Sequence, residues 1–134
     1  MGNNSDNQVL NSIQKSLNKR DFAITVFSSY TTDASRTEHI DIPSNVIEGS
    51  IYATTDSTYN GTTGTLALQA SNDGVNYSIL KTDDEAANIS FTLAASDHNI
   101  IQIKRRLFRF YRLVFTVGNA TAGVLNATFV GIRS

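Results

Sequence analysis

The chain has 134 residues, a formal net charge of −1, no Cys, no Trp, one Pro and one Met. Ser, Thr and Asn number 14, 15 and 13, filling 42 positions, while charged residues make up 17%, against roughly a quarter in an average soluble protein. Without Cys there is no disulfide scaffold, thiolate zinc site, iron–sulfur cluster or cysteine nucleophile. The longest apolar runs are three residues, such as Phe22-Ala23-Ile24, so no segment approaches the roughly 20 residues of a membrane helix.

Residues 1–20 are polar and Asn-rich. Met1 to Asp6 lacks the basic and apolar regions of a signal peptide and, with Asp at the sixth position, does not fit the myristoylation pattern. Val9, Leu10, Ile13 and Leu17 recur at helical spacing, so the expectation is an arm or short amphipathic helix capped by Asp6 or Asn7. Such a helix is marginal alone and needs a surface to pack on.

Residues 21–134 read as one β-sandwich domain. Phe22, Ile24 and Val26 alternate with smaller or polar residues, as do Leu66, Leu68 and Ala70, Ile101 and Ile103, Leu113, Phe115 and Val117, and Leu125, Ala127 and Phe129. Period-two alternation marks a strand with one buried face. The other face is largely Thr and Ser, which accounts for the low charge. Eight or nine strands are expected, at about 21–30, 37–42, 48–55, 64–71, 75–81, 89–95, 99–104, 107–117 and 124–132. Pro43 is expected to end the second strand at Ile42. Asn60-Gly61 and Asp73-Gly74 read as hairpin turns, the latter a two-residue turn that sets register, and Gly118-Asn119 with Thr121-Ala122-Gly123 marks another tight connection. The fold expected is all-β: an antiparallel, jelly-roll-like sandwich.

The inventory for catalysis is poor. His39 and His98 sit in no metal spacing and read as surface residues, and no nucleophile elbow, Walker loop or dinucleotide fingerprint occurs. Asp83-Asp84-Glu85 reads as a solvated loop. No catalytic residue, metal site or cofactor is expected. The basic cluster Lys104-Arg105-Arg106, Arg109 and Arg112 is interleaved with aromatics. Residues 1–67 carry −3 (four Lys/Arg, seven Asp/Glu) and residues 68–134 carry +2 (seven and five). The net charge and the lack of a second basic cluster argue against nucleic acid. Arg and Tyr favour an oligomer or partner interface instead. Candidate interface residues are Leu10, Ile13 and Leu17 of the arm with Arg105, Arg106, Arg109 and Arg112, and secondarily the loop at 81–88. Six Asn-x-Ser/Thr sequons occur, at Asn3, Asn60, Asn76, Asn88, Asn119 and Asn126, and read as a by-product of the composition.

Residues 64–77 run Gly-Thr-Leu-Ala-Leu-Gln-Ala-Ser-Asn-Asp-Gly-Val-Asn-Tyr. They resemble the strand, Gln-x-Ser-x-Asp-Gly, aromatic hairpin of small β-sandwich virion proteins of bacteriophages, with Ser71, Asp73 and Gly74 in the turn and Tyr77 where that family usually has Trp. Tyr111-Arg112-Leu113-Val114-Phe115 is similar to the family's closing Tyr-x-Arg-hydrophobic strand, so the resemblance covers roughly 48–134. It implies a non-enzymatic structural role in the virion (head decoration, vertex, spike base or head–tail component), with homo-oligomeric assembly and other virion proteins as partners. The chain would then be made in the host cytoplasm. The alternative is a glycan- or receptor-binding module using Tyr52, Tyr59, Tyr77 and the Asn-rich loops; the lack of Trp counts against it. A hydrolase is disfavoured because no acid–base pair stands at a defensible spacing.

Overall fold

The computed structural model describes residues 21–81, 87–103 and 108–133. The expected arm at 1–20, most of the 81–88 loop and Lys104 to Leu107 lie outside the described residues. Among the described residues nine strands form: β1 Asp21–Thr31, β2 Arg36–Ile40, β3 Val46–Thr55, β4 Thr65–Ser71, β5 Ser78–Ile79, β6 Ser90–Thr92, β7 His98–Ile103, β8 Phe110–Thr116 and β9 Val124–Arg133. They build two antiparallel sheets, β1-β9-β3-β7 and β2-β8-β4 with β5 and β6 both on the free side of β4.

The pairings nest. β1 pairs with β9, β2 with β8, β3 with β7, and β4 with β5 and β6. The chain is thus one long hairpin folded back at residues 72–77. Rolling it brings β3 beside β9 and β4 beside β8. This is a jelly roll, with β5 and β6 sharing one strand position.

The inward rows can be read across each sheet, because directly opposed residues share a face. In the first, Ile24, Phe129, Ile51 and Ile101 lie in one row, and Phe22, Gly131, Gly49 and Ile103 in the next. In the second, Leu66 opposes Phe115, Leu68 opposes Leu113, and Ala70 opposes Tyr111. Ile51, Leu66, Leu68, Leu113, Phe115, Leu125 and Phe129 are almost wholly buried. The two row-mate glycines make room for Phe129: a Cβ at Gly131 would come within 2.8 Å of its ring, and one at Gly49 within 2.7 Å.

Three local expectations are corrected. The Asp73-Gly74 connection is a six-residue loop, 72–77, rather than a two-residue turn. Asn60-Gly61 is not a hairpin turn, because β3 and β4 belong to different sheets; the connection at 117–123 likewise passes from one sheet to the other, between β8 and β9. β2 ends at Ile40, short of Pro43, whose carbonyl accepts the Val46 amide at 3.0 Å.

Candidate functional site

The two crossover loops are clamped by asparagines. Asn119 Oδ1 accepts the amides of Thr62 (2.8 Å) and Thr63 (3.1 Å), and its Nδ2 donates to Thr62 Oγ1. Asn60 Oδ1 accepts the amides of Thr121 (2.9 Å) and Ala122 (3.1 Å), and its Nδ2 donates to Thr121 Oγ1. Tyr59 fills the space beneath, 3% exposed, and so cannot serve as a sugar-facing ring. Its hydroxyl is buried with no hydrogen-bond partner among the described residues, and burial pushes its pKa up. In the sequons at Asn60, Asn76 and Asn119 the amide nitrogen that a glycan would occupy is already a donor within the fold.

The 72–77 loop is wired by Asp73. Its Oδ1 accepts the amides of Val75 (2.9 Å) and Asn76 (2.8 Å) and the Ser71 hydroxyl (2.8 Å), and its Oδ2 accepts the Asn76 side-chain amide. The Asn76 amide first, then that of Val75 and the Ser71 hydroxyl, hold the carboxyl well below the usual carboxylate range. Gly74 adopts φ +75°, which favours glycine. The loop's Ser71, Asp73 and Gly74 therefore shape the tip of the long hairpin, and Tyr77 leaves it onto the sheet.

The two outer sheet faces differ in chemistry. On β1-β9-β3-β7, the outward rows run Ala23, Val130, Ser50, Gln102 and Thr25, Thr128, Tyr52, Ile100. Ile100 is 63% exposed, Tyr52 46%, Val130 45% and Ile132 37%. Tyr52 is steadied by His98, whose Nδ1 lies 3.1 Å from its hydroxyl. Three aliphatic side chains and the Tyr52 ring thus stand exposed on this face.

On the other sheet the outward rows are Thr92, Thr65, Thr116; then Ser90, Ala67, Val114, Thr37; then Ile79, Gln69, Arg112, His39. The last row is a polar cluster. Arg112 Nε donates to Gln69 Oε1 at 2.7 Å, and its Cζ lies 3.9 Å from the centre of the Tyr77 ring. The Tyr77 hydroxyl is 3.5 Å from His39 Nδ1, with the two rings edge to face.

Of the interface residues expected from the sequence, Leu10, Ile13, Leu17, Arg105 and Arg106 lie outside the described residues. Arg109 is exposed at a bend, over the Phe110 ring at 5.6 Å, while Arg112 sits on the sheet. Arg112 is thereby drawn into a set with His39, Gln69 and Tyr77, of which the sequence joined none to it. Register across β2, β8 and β4 makes that set, and adjacency along the chain carries no sign of it.

Fold and surfaces together define a jelly-roll β-sandwich with large apolar side chains exposed among polar ones on one outer face and a polar cluster around Arg112 on the other. No family profile and no curated sequence matches the chain. Solved structures similar to it include a chain from the disulfide-linked pili of Bacillus endospore appendages, at 15% identity and TM-score 0.48, covering 85% of this chain and 88% of that one. The Yersinia pseudotuberculosis-derived mitogen is similar at 9% identity and TM-score 0.42, covering 85% of each chain. A chain of infectious bursal disease virus, Gx strain, is similar at 13% identity and TM-score 0.41, covering 86% of this chain and 32% of that one. At such values function has to be argued from the chain's own surfaces.

Proposed function

We propose that the chain is a non-enzymatic structural protein of a bacteriophage virion that works by assembling with copies of itself and with other virion proteins. The observation that carries the assembly is the outer face of β1-β9-β3-β7, where Tyr52, Ile100, Val130 and Ile132 are 37–63% exposed. Tyr52 and Ile100 stand directly opposite each other, with Val130 in the next row beside Ala23 and Ser50 and Ile132 one row beyond between Asp21 and Glu48; large apolar side chains grouped on one exposed face are candidate contacts for a neighbour. Covering it with a neighbour stabilises contact through the same burial that holds the core. The virion assignment is supported by the bacteriophage-like pattern of Ser71, Asp73, Gly74 and Tyr77 and of Tyr111 and Arg112. Mass spectrometry of purified phage particles tests it. The chain is expected there as a multicopy component; a strict monomer that fails to join particles would overturn the reading.

The second reading is a glycan- or receptor-binding module. It is favoured by the Arg112, Gln69, Tyr77 and His39 cluster on the opposite face.

A further inference from the structure

The geometry points to a carboxylate-binding subsite on the outer face of the β2-β8-β4-β5 sheet, anchored by Arg112 and suited to an acidic sugar. It rests on the second reading and is independent of the assembly, which uses the other sheet. Arg112 is held twice: its Nε by Gln69 Oε1 at 2.7 Å, and one face of its guanidinium by the Tyr77 ring at 3.9 Å. These contacts fix the plane of the guanidinium and leave its terminal nitrogens, which take no hydrogen bond or ion pair from the described residues and are not sealed from solvent. A planar fork fixed in this way presents paired donors to a carboxylate.

The neighbours include further donors. Gln69 has its amide nitrogen, and His39, exposed directly opposite Arg112, shares a proton contact with the Tyr77 hydroxyl at 3.5 Å, in which one of the two donates to the other. Among the described residues the carboxylates flanking His39 form no ion pair with Arg112: Glu38 points to the other side of β2, where Arg36 engages it, and Asp41 is exposed beyond the end of the strand. A guanidinium fixed in one plane suits the flat, two-oxygen fork of a carboxylate.

The remainder of the face argues for a sugar as the bearer of that carboxylate. Thr37, Ser90, Thr92 and Thr116 are exposed in the adjoining rows and supply hydroxyls that both donate and accept. Ile79, 39% exposed beside Gln69, supplies a small apolar platform for a ring face. An acidic peptide shares the carboxylate but has no counterpart to this hydroxyl field.

Amide-resonance titration of the full chain tests the site, with 3′-sialyllactose and a glucuronate-terminated disaccharide as probes, and their methyl esters and a tri-glutamate peptide as comparators. At least one acid is expected to shift His39, Gln69, Tyr77 and Arg112, with its ester weaker by about tenfold or more. Arg112→Lys keeps the charge but loses the fork, and is expected to weaken binding by about tenfold. Gln69→Glu puts a carboxylate against the Arg112 Nε and is expected to abolish binding; it carries the same test should Arg112→Lys not fold. Equal binding of acid and ester would leave a glycan-binding module but overturn the carboxylate site. Tri-glutamate binding as tightly as the sugars, binding unchanged in both variants, or no shift with either acid would overturn it as well.

Discussion

Leu113 sits at the centre of the second sheet, between β2 and β4, fully buried opposite Leu68. Leu113→Ala removes three carbon groups from water-free surroundings, a transfer loss of ~2.4 kcal/mol at about 0.8 kcal/mol each. β8 is hydrogen-bonded on both edges, so the backbone cannot close the space, and the residual cavity adds on the order of 1 kcal/mol. The total, ~3.4 kcal/mol, corresponds to a fall in melting temperature of ~10–15 °C for a domain of this size. Far-UV circular dichroism during thermal and urea unfolding is the assay, since there is no Trp to report by fluorescence. Thr116→Ala, on the exposed side of the same strand, is the matched control and should stay within about 0.5 kcal/mol of wild type. A Leu113→Ala loss below about 1 kcal/mol, or one equal to that of Thr116→Ala, would refute the inward assignment of β8.

Three further outcomes are expected. Gly131→Ala places a Cβ 2.5 Å from Val46 Cγ1 and 2.8 Å from the Phe129 ring, so it should lower the urea midpoint although it removes no contact. Asp73 has a folded pKa depressed below its unfolded value of about 3.9, so the stability it contributes is full above that pH and is lost as pH falls toward the folded value. The gap in urea midpoint between wild type and Asp73→Asn should therefore hold steady down to about pH 5 and narrow from there to about pH 2, and a gap independent of pH would show that the charge plays no part. Tyr59→Phe removes a buried hydroxyl that has no hydrogen-bond partner among the described residues, so calorimetry should find the melting temperature unchanged or raised, and a marked fall would show that the hydroxyl has a partner.

The alternation of apolar and small polar residues is a local signal, and it located the strands well. β4, expected at 64–71, spans Thr65–Ser71, and β9, expected at 124–132, spans Val124–Arg133. What alternation does not encode is which sheet a strand joins. Asn60-Gly61 has the composition of a hairpin tip, yet its neighbours part into different sheets, and Asn60 serves instead to clamp the 117–123 loop. Asp73-Gly74 also has the composition of a two-residue turn. Its carboxylate gathers the amides of Val75 and Asn76 and so extends the loop to Tyr77. The Asn content thus has two uses, in turns and in long-range clamps, and only the first is visible along the chain. The polar cluster was half legible: Arg112 and Tyr77 stood out as residue types, but His39 and Gln69 join them only through pairings of β2 and β4 with β8.

The claim that one sheet face drives assembly is tested most directly by sedimentation velocity over a dilution series. Three proteins are compared: wild type, Ile100→Lys with Val130→Lys on the apolar face, and Thr37→Lys with Thr116→Lys on the polar face. All four substituted side chains stand outward, so none of the changes touches the core. Wild type and the polar-face variant should sediment as concentration-dependent oligomers and the apolar-face variant as a monomer. The same size distribution for all three would contradict assembly through the β1-β9-β3-β7 face.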